Sequence, residues 1–138
     1  MPLNPKTLAM VNLLVQVLLI MTVLVAAYFA KRKRQFIRHC RIIRVAVVLQ
    51  LLAIFLIMLP SLSGYLENPG PTFRTEMLVH HGLGLLLVLL WVYINLAVMG
   101  RVRVVGGRLP IFMRTALSVW TLAFLLGLHL YFQIYALP

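Results

Sequence analysis

The stretch LAMVNLLVQVLLIMTVLVAAYFAKRKRQFIRHCRIIR, residues 8–44, decides how this 138-residue chain is read. Its first part, Leu8 to Ala30, is an almost unbroken apolar run. At about 1.5 Å of rise per helical residue, roughly 20 such residues cross a hydrocarbon core about 30 Å thick. Its second part crowds Lys31, Arg32, Lys33, Arg34, Arg38, Arg41 and Arg44 into the residues that follow. An apolar run that ends in a basic cluster reads as a membrane span anchored on its cytoplasmic side. A cleaved signal peptide has the opposite order, with charge first and a shorter apolar region, so this helix is expected to stay in the mature protein.

Three further apolar runs follow, Ile42 to Leu62, Met77 to Met99 and Ile111 to Leu137, and a second basic cluster, Arg101, Arg103, Arg108 and Arg114, separates the last two. The two clusters together hold 11 of the 13 Lys and Arg residues. The other side has Lys6 and Arg74, with the chain's two acids, Glu67 and Glu76. The expected fold is therefore an all-α integral membrane protein of the cytoplasmic (inner) membrane of a prokaryote. It is a single domain over residues 1–138, an antiparallel up-down four-transmembrane-helix bundle with both termini outside. Turn formers mark the outer crossing, Ser63-Gly64 and Asn68-Pro69-Gly70-Pro71, and Gly106-Gly107 and Pro110 precede the fourth helix.

A net charge of +11 in a soluble chain would point to nucleic acid, but here the excess lies beside spans, where it holds topology and attracts anionic lipids at the cytoplasmic face. No nucleic-acid partner is expected. The single cysteine, Cys40, sits on the reducing side with no partner for an internal disulfide. Short loops leave no room for an extramembrane catalytic domain. There is no nucleophile with an oriented base, no pair of intramembrane carboxylates and no phosphate loop; Gly82-x-Gly84 lies inside a span. A span without acids also lacks the usual relay of a proton or cation transporter. Stand-alone catalysis is not expected.

What chemistry the chain has must come from polar side chains within the helices. Asn12 and Gln16 share one face of the first helix, and read most simply as amide glue between helices, while Gln50 and Asn95 stand singly. Histidine is more selective. His39 lies at the cytoplasmic start of the second helix, His80 and His81 lie just inside the outer end of the third, and His129 lies at matching depth in the fourth. His129 belongs to a polar stripe with Ser118, Thr121 and Gln133, a stripe expected to face protein. Gly82 and Gly84 beside the histidines leave space for a flat macrocycle or a neighbouring backbone.

Two imidazoles at one depth on facing helices are what a six-coordinate haem b requires, so His81, or His80, with His129 are candidate axial ligands of haem iron. The alternative is that they are neutral contact residues hydrogen-bonded between helices. His80 and His81 point about 100° apart, so only one can face His129 squarely. Arg41 and Arg44, on one face of the second helix, fit a haem propionate or a lipid phosphate, with snorkelling to the interface as the default. Trp91, Tyr93, Trp120 and Tyr131 can stack on a cofactor or quinone, though aromatics at helical spacing are more often core or belt. The methionines Met10, Met21, Met58, Met77, Met99 and Met113 are scattered by helix and depth and read as packing, which disfavours a copper site.

The basic run ending in His39, the Leu78-x-x-His81 pattern and the Trp120-x6-Gly127-x3-Tyr131 spacing together resemble the YozB-like four-helix membrane family, over roughly Tyr28 to Tyr131. The resemblance implies a small four-helix protein associated with respiratory or haem-copper oxidase functions, with His39 and His81 at the matching histidine positions. The chain departs from that pattern in two places: the loop from Arg101 to Arg114 lacks the expected histidine, and His129 stands where the family is usually aliphatic. The expected role is a small accessory subunit of a multi-subunit respiratory membrane complex, held among other integral membrane subunits, with a haem b site near the outer face as its candidate active feature. Alternatives are a biogenesis factor for a haem-copper oxidase and a structural subunit with no cofactor.

Overall fold

A computed structural model describes residues 5–60, 62–63 and 74–136; these are helices joined by short turns, with no strand among them. Four helices are long and apolar enough to cross a membrane. The chain divides into two compact units, Met1–Pro69 and Gly70–Pro138. The expected outer turn, Asn68-Pro69-Gly70-Pro71, and both chain ends lie outside the described residues.

In the first unit, α1 spans Pro5–Lys31, and α2 spans Phe36–Ala53 and runs on through a π-helical turn at Ile54–Met58. Proline suits the first position of α1, where its missing N–H would be unpaired anyway, and Lys31 in the last turn complements the negative end of the helix dipole. The chain reverses through Arg34, whose φ of 51° lies in the left-handed region. The Gln35 N–H then donates to Phe29 O at 3.0 Å, satisfying a carbonyl of the last turn of α1. The helices meet through Gln16, Leu19, Val23 and Ala26 of α1 and Ala46, Val47, Gln50 and Ala53 of α2, all buried. Ala26 and Ala46 have 0 % exposure; small side chains let two helix backbones approach closely.

The hydropathy pattern puts the start of the second span at Ile42, but α2 begins at Phe36. The discrepancy is physical. A span begins where the chain becomes apolar, whereas a helix begins where its hydrogen bonds begin, and arginine is a good helix former that projects from a helix without interrupting it. The π turn near the other end has its own cause. Pro60 has no N–H to give the carbonyl of residue 56, and in a regular α-helix its ring would crowd that carbonyl; here Leu59 bonds five residues back, to Ile54 O.

In the second unit, α3 spans Arg74–Val98 and α4 spans Leu109–Tyr131, continued by a π-helical turn at Phe132–Ala136. Gly100, at φ 71°, closes α3 by bonding to Ala97 O at 3.0 Å while Arg101 N bonds to Leu96 O at 2.9 Å, a paired cap that only a left-handed residue completes. The turn then runs through a short 3-10 segment, Val105–Gly107, whose Val105 N–H donates to the Tyr93 hydroxyl at 2.9 Å. Pro110 opens α4.

The seam of this hairpin is Leu87 and Trp91 of α3 against Ala116, Trp120, Ala123 and Leu130 of α4, all buried. The Trp91 and Trp120 rings meet edge to face, with centroids 5.1 Å apart, and Tyr93 packs on Phe112 at 4.9 Å. Edge-to-face contact suits the ring quadrupoles. The aromatics considered above as cofactor platforms thus stack largely on one another, and Tyr131 likewise meets Phe132 and Tyr135.

Candidate functional site

Polar side chains within the helices fall into two groups. The first bonds to its own helix: Thr22 donates to Leu18 O at 2.8 Å, Asn95 to Trp91 O at 2.8 Å and Thr121 to Leu117 O at 2.9 Å. A side chain satisfied by the carbonyl four residues back needs no partner from elsewhere. The second group reaches across between helices, and histidine dominates it.

His39 Nδ1 lies 2.9 Å from Ala26 O, joining the start of α2 to α1. His80 Nδ1 lies 3.0 Å from Ala123 O, joining α3 to α4. A backbone carbonyl can only accept, so in each ring Nδ1 carries the proton and donates. The His80 ring also fills the space opposite Gly127: a Cβ at residue 127 would stand 2.8 Å from His80 Cε1 and 3.4 Å from Nδ1. The glycine in the Trp120-x6-Gly127 spacing is therefore a notch for an imidazole. His80 is a seam residue, wedged between α3 and α4.

His81 is turned out of that seam. Its Nδ1 lies 2.8 Å from Met77 O on its own helix, and its ring meets that of His80 edge to face at 5.3 Å. The bond to Met77 fixes which nitrogen holds the proton and leaves the Nε2 lone pair uncommitted, as a ligating imidazole requires. Gly84 lies one turn further along the same side of α3. A Cβ added at Gly82 or Gly84 would meet nothing within 4 Å, so the backbone beside His81 is open to close approach.

His129 does not lie at the depth of His81. It is level with Glu76, which it meets across the seam, whereas His80 meets Ala123 and Gly127, so His129 stands about five residues, or ~7 Å, further out than His81. The Gln133 amide nitrogen sits 3.1 Å from His129 Nε2, and Glu76 Oε2 sits 3.9 Å from the same atom. Ligation of iron through Nε2 requires that nitrogen to leave Gln133. Glu76 Oε2 is itself shielded from solvent and has no hydrogen-bond donor among the described residues. The rest of the stripe, Ser118 and Thr121, is exposed along α4 and lines a shallow groove with Leu117, Leu122 and Leu125.

Glu76 was not legible as part of this group from hydropathy, which placed it in a loop. Its spacing of four residues before His80 is the signal that it shares a helical face with the seam. In the first unit, Gln50 is 4 % exposed, and the buried Gln16 lies at nearly the same depth: from the His39–Ala26 bond, Gln16 is ten residues back along α1 and Gln50 eleven residues forward along α2. Arg41 and Arg44 are exposed on the side of α2 turned away from α1. The described residues contain no cluster of three or more His, Cys, Asp or Glu able to hold a metal ion.

The chain matches no protein-family profile, no curated protein and no solved structure.

Proposed function

We propose that this chain is an integral membrane protein that serves as a small accessory subunit of a multi-subunit redox assembly. In this reading its two hairpins close into an up-down bundle and His81 presents Nε2 to a haem b near the outer face. The observation that carries the proposal is the His81 geometry: Nδ1 held to Met77 O at 2.8 Å, and an open backbone at Gly82 and Gly84 beside it. His129, the other ligand considered from the sequence, lies level with Glu76, ~7 Å further out, and would share an iron with His81 only after α4 shifted along α3 and its ring left Gln133. The resemblance to the YozB-like family belongs to the same reading. A bound haem would supply reversible one-electron chemistry. The chain's own contribution is to orient an imidazole, fix its protonated nitrogen and surround it with apolar helix.

The test is a dithionite-reduced minus oxidised absorption spectrum, with pyridine haemochrome quantification, on the purified chain and its His81→Ala and His129→Ala variants. A b-type α band that His81→Ala abolishes supports the proposal. A band unchanged in both variants, or no band in the wild type, overturns the haem reading. The second result favours a purely structural subunit, a role consistent with the way His80, Trp91 and Trp120 are all consumed in the seam.

A further inference from the structure

The first three turns of α2 carry Arg38, Arg41 and Arg44, all exposed. Residues three apart on a helix are turned about 60° from one another and rise about 4.5 Å. The three guanidiniums therefore wind over one side of α2, and that side is opposite Ala46, Gln50 and Ala53, which are buried. None of the three has an ion-pair partner among the described residues, and Asp and Glu are absent from the described part of this unit. Lys31, Arg32, Lys33 and Arg34 crowd the adjoining turn, also exposed. Further along the same side the surface becomes apolar and stays exposed: Val45 (55 %), Val48 (56 %) and Leu52 (49 %).

We propose that Arg38, Arg41 and Arg44 bind the phosphate of an anionic phospholipid whose acyl chains lie along Val45, Val48 and Leu52. Guanidinium offers a planar fork of donors that matches phosphate oxygens, and three of them concentrate the charge that an anionic headgroup neutralises. The apolar continuation distinguishes a lipid from an acidic protein surface, which would need polar contacts along the same side. Snorkelling alone would leave the guanidiniums in bulk headgroups with no preference among lipids. The proposal rests on the membrane reading but not on haem.

The experiment is native mass spectrometry of the full chain released from detergent micelles, titrated with phosphatidylglycerol, phosphatidylcholine or inorganic phosphate. Membrane insertion is followed separately as resistance to alkaline carbonate extraction, so a failure of the site and a failure of the membrane reading give different results. Phosphatidylglycerol is expected to bind in preference to phosphatidylcholine. Each arginine near an anionic surface contributes on the order of fivefold in affinity, so Arg38→Gln/Arg41→Gln/Arg44→Gln should weaken binding about 100-fold. Arg41→Gln alone should weaken it about fivefold, which keeps the test open if the triple variant misfolds. Arg101→Gln/Arg103→Gln/Arg108→Gln removes the same charge from the other turn and should leave binding unchanged. Equal loss in both triple variants, equal binding of the two lipids, or displacement of phosphatidylglycerol by millimolar inorganic phosphate would each overturn the proposal.

Discussion

The contact between His80 and Gly127 is where one atom matters most. A methyl group at residue 127 would stand 2.8 Å from a ring carbon that is held in place by a hydrogen bond to Ala123. An imidazole pinned at one nitrogen cannot swing aside as a lysine tip would. Gly127→Ala should therefore destabilise the second hairpin by about 1–3 kcal/mol, read as a drop in the thermal unfolding midpoint in detergent. His80→Ala should recover part of that loss in the double variant, because the clash requires both partners; strict additivity would show that the two residues do not touch. The sequence alone exposes the adjacent histidines and their 100° divergence. It does not reveal which of them enters the seam, because that depends on a notch 47 residues away in the chain.

At the scale of the elements, apolar run length is enough to locate four helices, since a long run of Leu, Val, Ile and Ala without interior proline has few other folded solutions. Their ends are less legible. The second helix starts six residues before its apolar run, through Arg38 and Arg41, and the π turn at Ile54–Met58 answers to a proline that lies beyond it. The turn between α3 and α4 could be read directly from its glycines, which hold φ of 71° at Gly100 and 66° at Gly106 and Gly107. Alanine at any one of these should cost about 1 kcal/mol through the left-handed backbone alone, since no neighbour lies within 4 Å of the added methyl group. Chemical denaturation of Gly100→Ala, Gly106→Ala and Gly107→Ala measures this. A much larger loss at one of them would reveal a contact beyond the backbone.

For the whole molecule, the distribution of charge makes a claim about direction. Seven Lys and Arg lie within residues 31–44 and four more within residues 101–114, while the two acids, Glu67 and Glu76, fall in the stretch of sequence between the two clusters. In the proposed membrane reading, the positive-inside bias predicts that both basic turns face the cytoplasm. Cys40, the chain's single thiol and half-buried near the first of them, reports on this. A membrane-impermeant maleimide should label Cys40 in inverted vesicles and spare it in intact cells. The reverse pattern would invert the topology and move the His81 face to the cytoplasmic side.

Each hairpin ties its two helices with a histidine that donates to the opposite backbone, His39 to Ala26 and His80 to Ala123. Cross-helix bonds made within each pair bear on how the chain is born. If the chain inserts in a membrane as proposed, the first two helices can leave the translocon as a closed couple, their cross-bond already made, once Met1–Pro69 has left the ribosome. The second couple need not wait for the first to find it. A chain truncated and released at residue 69 should thus already resist alkaline extraction, and biosynthesis would then proceed in two insertion events instead of four.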